Sequence, residues 1–165
     1  MISQDEVRVD LYARNQMWLE AAIEKEDLQA VVRVTGVMPR DDVMAAERRA
    51  NRLLVLLWDG ENAEGIVTGK LFEYLGARRP VLAIGGPERS AVDEVLTETG
   101  AGERVRALEP LKAAVLAAVQ EHRARAVPIV SAERLVPFEA STMAASFARL
   151  LDRVVHAEHV ASPTL

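Results

Sequence analysis

The chain has 165 residues, of which 50% are hydrophobic and 27% are charged, and its formal net charge is −5. This length and composition are typical of one soluble globular domain, and the acidic balance argues against nucleic-acid or anionic-membrane partners, which need a basic footprint. The absence of cysteine excludes disulfides. The first residues are acidic and polar, unlike a signal peptide. No apolar run reaches the roughly 20 residues of a transmembrane helix. We therefore expect a cytoplasmic protein.

Strand and helix patterns alternate through the first half of the chain. The patterns predict strands at 7–13, 30–35 and 53–57, a helix that ends near Asp27, and a second helix that starts after Pro39. The run Leu53–Leu57 is continuously apolar, which predicts a strand buried on both faces of a parallel sheet. Trp18 is expected to pack in the core, whereas for Trp58, at the end of a strand, packing and stacking on a ligand stay equally open.

The second half continues the same alternation. Thr68 is a predicted N-cap for a helix over Gly69–Ala77, and the elements that follow are a strand at 80–84, helices at 90–99 and 111–124 around a short strand at 104–106, and a C-terminal packing helix at 138–157. This order favours a Rossmann-like α/β fold, a parallel sheet with helices on both faces. The linker around Pro128 is the candidate boundary, but the helix after it is short, so residues 1–165 are predicted to form a single domain.

Glycine-containing loops follow three of the predicted strands. They are Gly36-Val37-Met38-Pro39, the loop from Trp58 to Gly69, and Gly85-Gly86-Pro87. Ligands of open α/β sheets bind beyond the carboxyl ends of the strands, where glycine lets backbone amides approach a phosphate closely. For any one loop alone, a simple turn is the more common explanation.

The helix that starts after Thr68 carries the most specific chemistry. Lys70 and Glu73 lie three residues apart and therefore share a helix face. A cation in the first turn opposes the helix dipole, and a bound anion would remove that conflict. A lysine for a diphosphate and a carboxylate for sugar hydroxyls suit a nucleotide, although an ordinary surface ion pair has the same spacing.

Residues 68–83, TGKLFEYLGARRPVLA, resemble the donor-site segment of glycosyltransferase family 4-like enzymes of the GT-B fold. The resemblance extends, in the same order, over 34–43, 50–57, 100–102 and the helix around 147–152, and so covers nearly the whole chain. It implies the nucleotide-sugar-binding, C-terminal half of such an enzyme. That half would act with an amino-terminal acceptor domain, in cis or in trans.

The resemblance also implies roles for residues. The donor would be a nucleotide diphosphate sugar that reacts with retention at the anomeric carbon, without a cofactor or a metal cluster. Lys70 and Glu73 would be the catalytic residues, with Glu73 accepting hydrogen bonds from the ribose hydroxyls. The remaining contacts would be Thr68 and Gly69 at the diphosphate beside Lys70, Gly36, Val37 and Met38 at the base, and Glu64 and Gly65 at the sugar.

Three features depart from the family pattern. Many retaining members have a glutamate where this chain has Gly65, and Glu64 is one position away. The first strand–helix unit of the domain, with its diphosphate loop, has no counterpart, and neither has the acceptor domain. A half-site cannot exclude water or position an acceptor, so the chain alone is expected to transfer little or no sugar. An exposed half-sheet would also favour homo-oligomers.

Two other functions stay open. A non-catalytic module that binds a nucleotide or a protein partner would also lack the first diphosphate loop. A receiver-like signalling domain would use Asp59, which follows an apolar strand, but it has little further support, since Gly85-Gly86 stands where such a domain has a hydroxyl residue.

Overall fold

The computed structural model describes residues 3, 6–14 and 17–160, and the side chains of 157–160 are not part of the description. Strands and helices alternate, as the sequence patterns predict. The strands are β1 (Val9–Tyr12), β2 (Val32–Thr35), β3 (Leu53–Leu57), β4 (Val81–Gly85) and β5 (Gly102–Val105). The helices are α1 (Met17–Lys25), α2 (Arg40–Arg49), α3 (Gly69–Ala77), α4 (Ala91–Thr99), α5 (Leu108–Arg123), α6 (Ala132–Leu135) and α7 (Ala140–Val160).

The chain divides into two compact units, Met1–Val130 and Ser131–Leu165. The first unit holds all five strands and the helices α1 to α5. The second unit holds α6, a short 3₁₀ turn at Val136–Phe138, and α7. The division falls close to the proline-containing linker, and the prediction of a single domain stays a prediction.

All strand pairs are parallel, which confirms the α/β class. β1 pairs with β2 from Val9↔Val32 to Tyr12↔Thr35, and β4 lies between β3 and β5 in a second sheet. The sequence predicts one continuous sheet, whereas the described residues form a two-stranded sheet and a three-stranded sheet with no pairing between them.

The hydrophobic core is built around the three-stranded sheet. On one face Leu82 packs with Val105 and with Ala114 of α5. Successive side chains of a strand point to opposite faces, so Val81 and Ala83 are buried on the other side, where right-handed crossovers place α3 and α4. Helices therefore cover both faces of this sheet. The fully buried leucines of these helices are Leu71 in α3 and Leu96 in α4.

Two predictions about burial are wrong. Leu56 is the fourth residue of the apolar strand β3, yet 77% of it is exposed, so that β3 is not buried on both faces along its whole length. Trp18 is 67% exposed rather than packed in the core, because α1 buries only Ile23. Both residues belong to the part of the first unit where the sheet is interrupted.

The boundaries of α3 and α4 agree closely with the sequence signals. α4 begins after Ser90, whose hydroxyl accepts a hydrogen bond from the Val92 amide at 3.3 Å, and it ends at Gly100 in the left-handed conformation, φ 60°. α3 begins after Thr68, as predicted, but the Thr68 side chain makes no capping hydrogen bond. The first amides of α3 therefore lack a side-chain acceptor from their own N-cap.

The second unit presents an apolar stripe on α7, a helix of 21 residues. Six of its large apolar side chains are exposed: Met143, Phe147, Leu150, Leu151, Val154 and Val155. They recur every three or four residues, which places them on one side of the helix. Among the described residues, no helix is both long enough and apolar enough to cross a membrane.

The start of β5 gives a test of the sheet. A Cβ atom on Gly102 would collide with the backbone of Val81, which cannot move without breaking the β4–β5 ladder. We expect Gly102→Ala to lower the free energy of unfolding by at least about 2 kcal/mol, within the range for backbone strain and overpacking. Urea unfolding followed by far-ultraviolet circular dichroism measures the change.

Gly76→Ala is the matched control, because nothing lies within 4 Å of the added Cβ atom and Gly76 is inside α3. It should raise the free energy of unfolding by about 0.5–1 kcal/mol, the difference between glycine and alanine in a helix. Equal effects of the two substitutions would contradict the close approach at Gly102.

Candidate functional site

The loops that follow β3 and β4 lie side by side at one edge of the sheet. The register pairs Leu57 with Gly85, the last residues of the two strands. Gly85 and Gly86 have φ values of 81° and 80°, which favour glycine, and a Cβ atom on Gly86 would lie 2.9 Å from the Leu57 Cβ atom. These two glycines are therefore explained by the packing of the chain itself.

Arg104, in β5, holds the loop after β4 in place. Its guanidinium donates hydrogen bonds to the carbonyl oxygens of Gly85 at 3.0 Å, Pro87 at 2.8 Å and Glu88 at 3.0 Å. The same group forms a two-pronged ion pair with Asp93 of α4, with N–O distances of 2.7 and 2.5 Å. Only 6% of the Arg104 side chain is exposed.

This role of Arg104 is not among those that the sequence patterns predict. The hydrogen bond from Arg104 holds the pKa of Asp93 below its ordinary value, so the carboxylate stays ionised and the pair stays intact. Arg106 adds a further hydrogen bond, 3.1 Å long, from its Nε to the Gly86 carbonyl. The alternation Arg104-Val105-Arg106 could have predicted such a contact, because charged residues on one face of a short strand need hydrogen-bonding partners.

Lys70 is the centre of a charged cluster between α2 and α3. Its Nζ lies 2.7 Å from Glu73 Oε2 and 3.5 Å from Glu47 Oε1. The ammonium also lies 5.3 Å from the centre of the Tyr74 ring, within the range of a cation–π interaction. Lys70 and Glu73 share a helix face, as their spacing predicts, and Glu47 is a member that the sequence analysis missed.

Burial separates the members of this cluster. Only 7% of the Glu47 side chain is exposed, whereas Lys70 is 46% exposed. Burial, together with the negative charge of Glu73, raises the pKa of Glu47, and the more distant contact with Lys70 offsets this only in part. Burial acts to lower the pKa of Lys70, but the hydrogen bond and the charge of Glu73 outweigh it and raise that pKa. Burial also raises the pKa of Tyr74.

The start of α3 is open. Thr68, Gly69 and Lys70 are all exposed, and nothing lies within 4 Å of a Cβ atom built on Gly69. The first amides of a helix carry partial positive charge, so this is a position where an anion is stabilised. The Lys70 side chain is bonded to Glu73, one turn further along α3.

The other predicted contact residues lie on neighbouring loops. Glu64 and Gly65 are exposed in a 3₁₀ turn, Ala63–Gly65, that packs against α4. Gly36, Val37 and Met38 follow β2, and Val37 is 75% exposed. The hydrogen bonds and ion pairs of the described residues link Lys70 to α2 through Glu47, and they bring neither these three residues nor Glu64 into the cluster.

No metal site is formed by the described residues, since no three histidine, aspartate or glutamate side chains among them are grouped closely enough to hold an ion. A comparison with known protein families finds none that matches the chain, and no curated protein has a matching sequence.

The buried Glu47 predicts a pH dependence. Because its pKa is raised in the folded protein, its ionised form opposes folding at neutral pH, and this cost is relieved as the pH falls through the raised pKa toward 4.5. The stability of the wild type relative to Glu47→Gln should therefore rise as the pH falls from 7 to 5. Urea unfolding of both proteins at the two pH values measures it, and a constant or opposite difference would show that burial does not disfavour the carboxylate.

Arg104→Lys tests the support of the β4 loop. A lysine keeps the charge but cannot bond the two carboxylate oxygens and the three carbonyl oxygens together, because it lacks the planar fork. We expect a loss of about 1–3 kcal/mol in the free energy of unfolding, the cost of leaving hydrogen-bonding groups around a buried side chain unpaired. Lys112→Ala, which breaks the exposed pair with Glu109, is the control and should change stability by less than about 0.5 kcal/mol.

Proposed function

We propose that the chain binds the nucleoside diphosphate part of a nucleotide sugar and is the donor half of a retaining glycosyltransferase. The observation that carries the proposal is the start of α3, where exposed and side-chain-uncapped amides at Thr68 and Gly69 adjoin Lys70 and Glu73. The resemblance of residues 68–83 to donor-site segments supports the same reading of these residues.

The first turn of α3 suits a diphosphate on physical grounds. Its free amides and the positive end of its dipole stabilise negative charge without any rearrangement. Lys70 is the nearest full positive charge on the same turn, and it is 46% exposed, so its ammonium is accessible from solvent. A diphosphate at this place would meet three kinds of donor: backbone amides, the helix dipole and one ammonium.

The ion pair between Lys70 and Glu73 has a role in this proposal. The Lys70 ammonium and the Glu73 carboxylate neutralise each other at 2.7 Å. An incoming diphosphate attracts the ammonium, and the freed Glu73 carboxylate accepts hydrogen bonds from the two ribose hydroxyls, since an ionised carboxylate only accepts. Glu47 stays behind as the buried neighbour that limits how far Lys70 moves.

Three glycines near this location have open space around them. Gly86 is required by contact with Leu57, but a Cβ atom on Gly36, Gly65 or Gly69 would meet nothing within 4 Å. The same is true of Gly76 inside α3, so the support comes from the places of Gly36, Gly65 and Gly69 in the chain. Each of them lies in a loop or first turn after β2 or β3, where a ligand would need to approach the backbone.

In the reaction, this half would stabilise the departing nucleoside diphosphate. Charge would accumulate on the diphosphate as the bond to the anomeric carbon breaks, and the amides of α3 and Lys70 would offset it. No cofactor takes part. An acceptor domain, in cis or in trans, would have to close over the donor to exclude water and to supply the acceptor hydroxyl.

A non-catalytic binding module is the second candidate. It is favoured by one observation: Lys70 is already paired with two carboxylates, so that its ammonium has acidic partners without a phosphate. Such a module would bind a nucleotide or a protein partner without turnover. Hydrolysis or transfer of sugar by the chain, once an acceptor domain is added, would exclude it.

Calorimetric titration with UDP, GDP and ADP tests donor binding. We expect one of the three to bind, and Glu73→Ala to weaken that binding by about 10–100-fold, as expected for lost hydrogen bonds to a charged group. Gly69→Ala should also weaken binding, because the new methyl group stands where the phosphate approaches, while leaving the thermal stability of the chain unchanged or slightly raised.

Two control variants make this test specific. Glu109→Ala removes the carboxylate of the other pair with three-residue spacing, at the same 2.7 Å distance, and should leave nucleotide binding unchanged. Gly76→Ala adds a methyl group to the same helix away from its start. Binding that is absent for all three nucleotides, or equally weakened by the controls, would contradict the proposal.

A further inference from the structure

Glu47 is a buried carboxylate whose partner is free to move away. It lies in α2, and 7% of its side chain is exposed. Among the hydrogen bonds of the described residues, the one that reaches this carboxylate comes from Lys70 Nζ, at 3.5 Å. The Lys70 ammonium lies closer to Glu73, at 2.7 Å, and its side chain is half exposed. The partner of the buried group is therefore held mainly by another carboxylate.

The groups around Glu47 act on its ionisation in opposite directions. Burial and the negative charge of Glu73 raise its pKa, whereas Lys70 and, less strongly, Arg48 lower it. Tyr74 is a further titratable group on α3, and burial raises the pKa of its hydroxyl, so that it carries no charge near neutral pH. Lys70 is thus the main group that favours the ionised form of Glu47, through both its charge and its hydrogen bond.

A diphosphate at the start of α3 would shift this balance in one direction. In the proposed function it attracts the Lys70 ammonium, which removes the charge and the hydrogen bond that favour ionised Glu47. Glu73 keeps its negative charge, and the diphosphate brings more negative charge to the same helix. A buried carboxylate that loses its partner is strongly disfavoured, and a proton from solvent restores a neutral group.

We propose that Glu47 is a positioning residue for Lys70, and that it takes up a proton from solvent when a nucleoside diphosphate draws Lys70 away. The inference rests on the proposed donor site and adds its regulation. The proton binds a carboxylate oxygen of Glu47, Lys70 stays an ammonium beside the phosphates, and no bond between heavy atoms changes. Ionised Glu47 therefore holds Lys70 back, and protonated Glu47 releases it to the donor.

This coupling makes donor binding depend on pH. The pKa of Glu47 is already raised in the protein alone, and it rises further in the complex, so that binding takes up protons between the two values. Binding therefore strengthens as the pH falls through this range, and the gain is complete below the pKa of the protein alone. Each unit of difference between the two pKa values corresponds to about a tenfold change in affinity.

A purely structural role of Glu47 would leave a different signature. α2 packs against α3, and a side chain that only supported this contact would affect nucleotide affinity by the same factor at every pH. It would also leave the number of protons taken up on binding unchanged. Proton uptake is therefore the measurement that separates a positioning residue from a packing residue.

The test counts protons during calorimetric titration with UDP, GDP or ADP, whichever binds. Titration at about pH 6 in two buffers of different ionisation enthalpy gives the number of protons taken up. Because the nucleotide phosphates titrate as well, wild type is compared with Glu47→Gln, which has nearly the same shape and cannot ionise. We expect wild type to take up about 0.3–1 proton more than Glu47→Gln.

The same two proteins give an expected pattern of affinities. At about pH 8 Glu47→Gln should bind the nucleotide about 3–10-fold more tightly than wild type, because no ionised carboxylate holds Lys70 back. At about pH 5.5 the two affinities should converge, since Glu47 is then largely protonated in the complex and increasingly so in the protein alone.

Two further measurements make the result specific. Glu109→Gln removes the charge of the exposed pair with Lys112 and should match wild type in proton uptake. Carbon-13 NMR of the carboxyl groups in wild type, with and without the nucleotide, should show the pKa of Glu47 rising on binding. This second measurement decides the question even where Glu47→Gln does not fold.

The outcomes separate this inference from the donor site on which it rests. Equal proton uptake by wild type and Glu47→Gln, an affinity ratio that stays constant with pH, or an unchanged pKa of Glu47 on binding would each overturn the inference. Nucleotide binding would still stand in those cases. Absence of binding by all three nucleotides would contradict the donor site itself, and the inference with it.

Discussion

The parallel pairing of β3 with β4 is the constraint on which the rest of the first unit depends. Because the two strands run in the same direction and in register from Leu53↔Val81 to Leu57↔Gly85, their carboxyl ends reach the same edge of the sheet. That coincidence brings the loop after β4 against the Leu57 side chain, and it fixes the conformation that glycine alone tolerates there. β5 then extends the sheet and supplies Arg104, whose guanidinium donates hydrogen bonds to the carbonyl oxygens of Gly85 and Pro87.

The charges of this unit serve two different purposes. The pair of Arg104 with Asp93 fixes a loop, because the carbonyl oxygens that Arg104 bonds belong to the last residue of β4 and to the loop that follows it. The cluster of Lys70 contributes less to stability, because it holds Glu47 in a buried place where burial raises the pKa of the carboxyl group and disfavours its ionised form. Groups whose pKa is shifted by burial and by a neighbouring charge occur often at binding and catalytic sites. This contrast is why the cluster, rather than the Arg104 network, is the stronger candidate for function.

How far the sequence predicts the structure depends on the range of the interactions. Local signals located α3 at Gly69–Ala77 and the end of α4 at Gly100, since caps and periodicity act within a few residues. Glu47 and Arg104 went unrecognised because their partners, Lys70 and Asp93, are brought close only by the fold. The exposure of Leu56 could not be predicted either, since an apolar run indicates that a strand suits burial and not that neighbours are present on both sides. Of the candidate site, the Lys70–Glu73 pair was predictable because it lies within one helix.

The exposure of Trp18 and Trp58 has a practical consequence for spectroscopy. These are the only two tryptophans of the chain, and they are 67% and 78% exposed. Their fluorescence in the folded protein should therefore resemble that of indoles in water, and a soluble quencher should reach both. Emission would consequently be a poor reporter of unfolding. Trp58 follows β3 directly, and its indole lies against Gly60 at the edge where the loops after β3 and β4 lie side by side. Its emission can therefore report ligands at that edge. Trp18, on α1, serves as an internal reference.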